Sequence, residues 1–117
     1  MILGFKPQFV EKILDGTKIH TIREDVYGRW KPGMKIHFTT GIRTKDYNQF
    51  HEGECTSIQR IEIYPSTRTV LIDGWSRDDI ERSNLAQWDG FESQDAFFQW
   101  FNKPFSGKII HWTNFKY

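Results

Sequence analysis

The sequence predicts a mainly β domain of the α+β class, with a small curved or closed sheet, a barrel, whose ends are covered by short helices. Three observations predict it. Short segments with the two-residue alternation of half-buried strands recur along the chain. Helical spacing is confined to a few short stretches. The regular alternation of strands and helices that a doubly wound parallel sheet needs is missing.

The first quarter of the chain predicts a strand, a short helix and a second strand. Residues 2–5 are apolar and of strand length, and Pro7 stands where the first helical turn tolerates it. Apolar residues then recur at helical spacing up to Leu14, and Gly16 ends the helix. Residues 19–24 have strand character, with Thr21 and Arg23 in one phase and His20 in the other.

The middle of the chain predicts further antiparallel strands. A turn at residues 30–33 leads into residues 34–40, where Met34, Ile36 and Phe38 alternate with polar residues. Residues 41–53 carry two glycines and many polar groups, which predicts a loop or an extended hairpin tip. Residues 55–64 and 68–73 flank Pro65-Ser66-Thr67, a pattern typical of a hairpin.

Two helices and a last strand complete the prediction. Ser76 is the predicted N-cap of a helix that carries Ile80, Leu85 and Trp88, with acidic residues in its first turn. Ser93 is the predicted cap of a second helix, and residues 89–91 form the hinge between the two helices. Residues 108–115 alternate again and predict a strand that completes the sheet.

Length and composition predict one domain over residues 1–117. The chain is 38% hydrophobic and 26% charged, and its aromatic share of 16% supplies large side chains for a core without covalent staples. The net charge of +1 argues against strong nonspecific binding to duplex nucleic acid, which relies on many phosphate contacts, and leaves small or single-stranded ligands open.

Cysteine usage and hydropathy predict a cytoplasmic protein. Cys55 is the single cysteine, so no internal disulfide forms and a reducing compartment is expected. No apolar run approaches the ~20 residues needed to span a bilayer, and the N-terminal residues do not resemble a signal peptide.

The common catalytic and cofactor motifs are missing from the sequence. It contains no phosphate-binding glycine-rich signature, no HExxH and no GxSxG. Nothing near Cys55 would lower its pKa, so it is interpreted as a small buried hydrophobe. The four histidines show no ligand spacing, and a site requires three or four convergent donors. We therefore expect no metal and no cofactor.

The segment from Asp15 to Asp25 holds more polar groups than a core strand needs. Lys18 and Thr21 are a pair capable of general-base or covalent chemistry, because a desolvated lysine loses proton affinity and can activate a neighbouring hydroxyl. A carboxylate would then position the lysine. Arg23 is either a fork for phosphate or carboxylate, or the partner of a nearby acid. On the pattern alone, ordinary strand and surface roles remain the more frequent outcome.

The same segment resembles a known family. Gly16-Thr17-Lys18-Ile19-His20-Thr21-Ile22-Arg23 looks like the GxKxxExR signature of the ASCH domain, a branch of the PUA-like β-barrel superfamily associated with RNA. The lead-in at residues 5–15, the turn at residues 30–34, the helical insertion at residues 86–101 and the closing strand at residues 108–115 are also similar to that family. The likeness covers nearly the whole chain and implies a PUA-like barrel.

One departure from the signature bears on function. The common glutamate of the family is Thr21 here, which resembles the small ASCH subgroup of amidohydrolases that deacetylate N4-acetylcytidine with a Lys, a Thr and a Glu. The resemblance implies Lys18 and Thr21 as catalytic residues, and Asp89 falls near the place of the third, shorter by one methylene. It implies that Lys18, held by Asp89, deprotonates Thr21 or a water for attack on the amide, while Arg23 or backbone N–H groups steady the oxyanion.

The predicted ligand is RNA or a modified nucleoside. Lys6, Arg23, Glu24 and Trp30 are the predicted ligand-binding residues, and Phe5, Trp30 and Trp112 are aromatics able to stack on a base. Other ASCH proteins are ribonucleases or noncatalytic RNA binders. The alternatives are therefore a noncatalytic RNA-binding module linked to tRNA or translation, and a metal-independent ribonuclease that uses the Lys, Arg and His groups.

Overall fold

The computed structural model describes residues 1–117 and shows an α+β protein that is mainly β, with eight strands in two sheets. The first sheet contains, in spatial order, β1 (Ile2–Gly4), β3 (Lys35–Thr40) and β4 (Asn48–Glu54). The second contains, in spatial order, β2 (His20–Arg23), β8 (Phe105–His111), β5 (Ser57–Tyr64), β6 (Thr69–Ile72) and β7 (Trp75–Ser76). All neighbours pair antiparallel except β1 and β3, which are parallel.

Three short helices cover the sheets. A 3-10 turn at Pro7–Phe9 leads into α1 (Val10–Leu14), and α2 (Asp79–Trp88) and α3 (Gln94–Trp100) lie between β7 and β8.

The caps of the two longer helices follow the predictions in one case only. Asp78, not Ser76, caps α2, because its carboxylate accepts from the Glu81 N–H while the Glu81 side chain accepts from the Asp78 N–H. Ser76 belongs to β7 instead. Ser93 caps α3, as predicted, by accepting from the Ala96 N–H.

The two sheets are open and do not close into the predicted barrel. On one side, residues 55 and 56 lead directly from β4 in the first sheet to β5 in the second. There the Cys55 N–H donates to Met34 O beside the first sheet, and the Thr56 N–H donates to His111 O of the second. On the other side no ladder joins β1 to β2, because β1 pairs with β3 and β2 pairs with β8. A hydrogen bond from Arg23 Nη2 to Gly4 O, 2.6 Å long, bridges this gap. The sheets therefore part along β1 and β2.

Two strand boundaries differ from the predictions. Residues 48–54, predicted as loop or hairpin tip, form β4, an edge strand whose mostly exposed side chains show no apolar alternation. The last strand runs from Phe105 to His111 and not from 108 to 115. Beyond it, Phe115 and Tyr117 fold back so that their rings pack against Trp88 of α2. Aromatic packing, not sheet pairing, therefore explains their hydrophobicity.

The core is rich in aromatic rings, as the composition predicts. Phe38 and Phe97 are among the largest fully buried side chains, and the rings of Phe91, Phe97 and Phe101 pack edge to face or tilted against one another. Cys55 is buried, and burial raises the pKa of its thiol, which disfavours the reactive thiolate. None of the helices is long and apolar enough to cross a membrane.

Candidate functional site

A cavity of about 430 Å³ opens where the two sheets part along β1 and β2. Its polar lining comes from five side chains, Lys6, Lys18, Thr21, Arg23 and Asp89. Its aromatic lining comes from Phe5 and Phe9 near the N-terminus and from Phe91, Trp100 and Phe101 of the α2–α3 region. Three cations thus face one carboxylate in a cavity with aromatic walls.

Backbone hydrogen bonds bring the lysine segment against the end of α2. The Lys18 N–H donates to Lys12 O, and the next N–H, that of Ile19, donates to Trp88 O, both at 2.9 Å. Lys12 Nζ donates to Gly90 O at 2.8 Å. The start of β2 is therefore fixed to the turn that follows α2, although the two segments are about seventy residues apart in the chain.

A helix C-terminal turn positions Asp89. Gly90 adopts φ +95°, the left-handed conformation that only glycine takes without cost. The Phe91 N–H then donates to Ala86 O and the Gly90 N–H donates to Gln87 O, the pair of bonds that defines a Schellman motif. Asp89 is the C-cap, so its own carbonyl and its carboxylate both lie at the negative end of the α2 dipole.

Lys18 and Asp89 form a buried ion pair at the base of the cavity. Lys18 Nζ donates to the carbonyl oxygen of Asp89 at 2.5 Å and to its Oδ1 at 3.2 Å. The two side chains are only 3% and 4% exposed. The ammonium thus finds a carboxylate and a helix-terminal carbonyl in place of water, which is the condition for holding a charge in the interior.

Burial dominates the proton affinity of Lys18. It lowers the pKa of the ammonium from 10.5, while the charge and hydrogen bond of Asp89 oppose that shift and the charges of Arg23 and Lys12 add to it. Nζ also lies 5.0 Å from the ring centre of Phe9 and 5.8 Å from that of Phe5. These ring contacts favour the ammonium, but burial is the largest effect, so Lys18 gives up its proton at a lower pH than a surface lysine.

Thr21 lies on the same face of β2 as Arg23, and both side chains line the cavity. Arg23 Nε donates to Thr21 Oγ1 at 3.3 Å, and its guanidinium carbon lies 4.9 Å from the ring centre of Phe5. No hydrogen bond joins Thr21 Oγ1 to Lys18 Nζ, whose bonds go to Asp89. The threonine hydroxyl therefore keeps its own proton free to donate, beside a cation.

The predicted ligand-binding residues separate into two groups. Lys6 and Arg23 line the cavity, and Lys6 Nζ lies 5.2 Å from the ring centre of the half-exposed Trp100. Glu24 is exposed on the loop after β2, at a different, shallow surface pocket. Trp30 is buried as part of the hydrophobic core and does not line the cavity. Glu24 and Trp30 thus do not contribute to the cavity.

The aromatics predicted to stack on a base also separate. Phe5 lines the cavity, whereas Trp112 packs edge to face on Phe38 at 4.8 Å and does not line it. Phe91 and Trp100, which were not predicted as ligand-binding residues, supply aromatic lining from the α2–α3 region. Trp100 stands out in the structure because it is a large ring exposed beside Lys6.

His20 and Tyr117 are further polar residues that sequence reasoning missed. His20 is fully buried, and its Nδ1 lies 3.0 Å from Asp89 Oδ1 while its Nε2 lies 2.6 Å from the Tyr117 hydroxyl. Neither residue lines the cavity. The only hint in the sequence is that His20 stands in the strand phase opposite to Thr21.

Gly90 offers a test of how tightly the lysine is packed. A Cβ added at Gly90 would lie 3.0 Å from Lys18 Cδ and 3.0 Å from Phe9 Cδ1. Gly16 also has a positive φ, +84°, but a Cβ there meets nothing within 4 Å. We expect Gly16→Ala to cost about 1 kcal/mol of unfolding free energy through backbone strain alone, and Gly90→Ala about 1–2 kcal/mol more through crowding.

Urea unfolding of the two glycine variants measures this difference. Because both replacements carry the same backbone penalty, the excess loss in Gly90→Ala reports the contact with Lys18 and Phe9. Equal losses in the two variants would contradict the close packing of Lys18 against the α2 turn.

No group of three or more His, Cys, Asp or Glu side chains is placed to hold a metal ion. The polar side chains that line the cavity are Lys18 with its lowered proton affinity, Lys6, Thr21, Arg23 and Asp89. No protein-family model, curated protein or solved structure matches the chain.

Proposed function

We propose that this protein is an ASCH-type, PUA-like domain that binds a modified nucleoside in the cavity and hydrolyses its exocyclic amide, with N4-acetylcytidine as the substrate that the resemblance implies. The observation that carries the proposal is the meeting of Lys18, Asp89 and Thr21 in one cavity, with the lysine and the carboxylate buried together. A volume of about 430 Å³ is in the range of small-ligand sites.

The first step transfers a proton and forms a bond. Neutral Lys18 accepts the hydroxyl proton of Thr21, and Oγ1 attacks the carbonyl carbon of the acetyl group. The carbonyl π electrons move to oxygen, and Arg23, which already donates to Thr21 Oγ1, lies beside the developing negative charge. Because Lys18 and Thr21 are not hydrogen-bonded to each other, the transfer requires a bridging water or a side-chain rotation when substrate binds.

The second step breaks the amide bond. The tetrahedral intermediate returns its electrons to the carbonyl and expels the exocyclic nitrogen, which takes the proton from the Lys18 ammonium. A water then hydrolyses the acetyl ester on Thr21 and releases acetate. In the alternative route, Lys18 deprotonates a water that attacks the amide directly, and Thr21 only positions the substrate.

The two other functions are favoured less. A noncatalytic RNA-binding module is consistent with the direction of the Lys18 hydrogen bonds, which go to Asp89 and not to Thr21. Metal-independent RNA cleavage by Lys, Arg and His groups has less support, since the cavity supplies the lysines and the arginine but no histidine.

Incubation of the purified protein with N4-acetylcytidine, and separately with total tRNA, tests the proposal. We expect release of acetate and cytidine in equal amounts. Thr21→Val, which keeps the shape of the side chain and removes the hydroxyl, should lower the rate about 10³-fold if Thr21 is the nucleophile. A loss below about 10-fold would select water as the nucleophile. Thr17→Val, at an exposed position in the same segment, is the control and should leave the rate unchanged.

The remaining outcomes assign the alternatives. Binding of tRNA without hydrolysis of the nucleoside would replace the enzyme by the binding module. Cleavage of the tRNA chain would indicate a ribonuclease. If the protein neither hydrolyses the nucleoside nor binds tRNA, the proposed function is overturned.

A further inference from the structure

A chain of buried polar groups lies behind the ion pair, outside the cavity. His20 points to the face of β2 opposite to Thr21 and places Nδ1 3.0 Å from Asp89 Oδ1. Its Nε2 lies 2.6 Å from the hydroxyl of Tyr117. The same carboxylate oxygen also accepts from Lys18 Nζ, so Oδ1 is shared between the lysine and the histidine.

The hydrogen-bond partners determine where the protons of this chain lie. Burial lowers the pKa of His20, so its ring is neutral near pH 7. Asp89 Oδ1 is a carboxylate oxygen and only accepts, so the ring proton of His20 lies on Nδ1 and is donated to Asp89. Burial raises the pKa of Tyr117, so its hydroxyl keeps its proton and donates it to the unprotonated Nε2.

Tyr117 is itself held firmly. Gln59 Oε1 accepts from the Tyr117 N–H at 2.8 Å, and Gln59 Nε2 donates to Tyr117 O at 2.7 Å. The His111 ring contacts the same amide, with Nε2 2.9 Å from Gln59 Oε1. The Tyr117 hydroxyl is therefore a fixed donor and not a chance contact of a mobile side chain.

We propose that His20 is a positioning residue that competes with Lys18 for Asp89 Oδ1 and so weakens the ion pair between Lys18 and Asp89. Tyr117 supports this role by donating to Nε2, which keeps the ring proton of His20 on Nδ1. This inference rests on the proposed function of Lys18 as the base. It goes beyond it by assigning two side chains outside the cavity, which touch neither substrate nor reacting atoms.

The charges around the two groups decide the direction of the effect. Lys18 is faced by Asp89 from the end of α2, by Arg23 from β2 and by Lys12 from α1. His20 is faced by Asp89, Lys18, His111 and Tyr117. Asp89 is the only anion among these neighbours. Without the His20 donor its Oδ1 would serve Lys18 alone, which strengthens the ion pair and stabilises the protonated lysine.

Two amide replacements test the two ring nitrogens of His20 one at a time. His20→Asn places an amide nitrogen near the position of Nδ1 and keeps the donation to Asp89, whereas His20→Gln reaches the position of Nε2 and keeps only the contact with Tyr117. The pKa of Lys18 is measured by NMR on protein with 13C-labelled lysine, with the signal assigned through its disappearance in Lys18→Met. We expect His20→Gln to raise that pKa by about one unit and His20→Asn to leave it within a few tenths of a unit.

The pH–rate profile should follow the NMR result. Neutral Lys18 is the active form. In His20→Gln the acid limb of amide hydrolysis should therefore move to higher pH by as much as the Lys18 pKa rises, and above that pH the variant should reach the maximal rate of the unmodified protein. A merely structural role would lower the rate at all pH values without moving the limb. An unchanged Lys18 pKa in His20→Gln would overturn the proposal.

Tyr117→Phe provides the second variant if a His20 replacement fails to fold. It removes the hydrogen bond to Nε2, which weakens Nδ1–H as a donor to Asp89, and should raise the Lys18 pKa in the same direction by less than His20→Gln does, whereas an unchanged value would overturn the proposal. The NMR measurement needs no substrate. A shifted Lys18 pKa in a protein that hydrolyses no amide would therefore keep this inference and remove the proposed function.

Discussion

Asp89→Ala is expected to lower the free energy of unfolding by about 3–5 kcal/mol, the largest loss of stability that we predict for a single replacement. The variant leaves Lys18, only 3% exposed, without its counter-charge and leaves His20 without an acceptor. The loss should shrink as the pH rises towards 10.5. The folded state then holds a neutral lysine, whose lowered pKa makes it shed its proton before the unfolded chain does.

Two controls make the measurement by urea unfolding specific. Asp95 forms an exposed ion pair with Arg68 at 2.6 Å, and Asp95→Ala should cost about 1 kcal/mol or less. The double variant Lys18→Met/Asp89→Ala removes both charges, and we expect it to recover about 2 kcal/mol relative to Asp89→Ala. A double variant that is less stable than Asp89→Ala would show that the buried lysine is not what makes the single replacement costly.

Lys18→Met should lower the rate of amide hydrolysis by about 10²–10⁴-fold, the range of a lost general base, while the protein stays folded. Methionine is similar in length to the lysine stem and suits the aromatic surroundings of Phe5 and Phe9. In the unmodified protein the rate should rise with pH up to the pKa of Lys18, which burial places below 10.5, because only the deprotonated amine accepts the Thr21 proton.

The assay follows acetate release from N4-acetylcytidine over a range of pH. Lys31→Met, which removes an exposed lysine from the segment between β2 and β3, serves as the matched control and should keep the full rate. Hydrolysis that survives unchanged in Lys18→Met would remove Lys18 from the mechanism. Residual hydrolysis in Lys18→Met that keeps the acid limb would instead show that another group limits the reaction at low pH.

The predicted fold is correct where local patterns decide it. Alternation located β3 and the β5–β6 hairpin, because each of these strands buries one face. It failed for β4, an edge strand with mostly exposed side chains on both faces. Local alternation does not show whether a barrel closes, since closure depends on which strands pair. Here β1 and β2 pair within different sheets.

The residues of the candidate site could likewise be predicted where a local motif marks them and not where a distant contact places them. The motif around Lys18 and Thr21 is local, and both residues lie in the cavity. Glu24 and Trp30 are close to them in sequence but lie elsewhere, because proximity along a strand and loop does not set the direction of a side chain. The contact between His20 and Tyr117 spans 97 positions, and no periodicity in the sequence links two residues so far apart.

The wide sequence separation of the paired groups sets the order in which the chemistry can appear. Lys18 meets Asp89 across 71 positions, and such distant contacts form late because closing a long loop costs chain entropy before any contact is gained. While a ribosome is still making α2, the Lys18 side chain is hydrated and has the proton affinity of an ordinary lysine. The reactive amine is thus a property of the completed fold, acquired only when both halves of the chain have met.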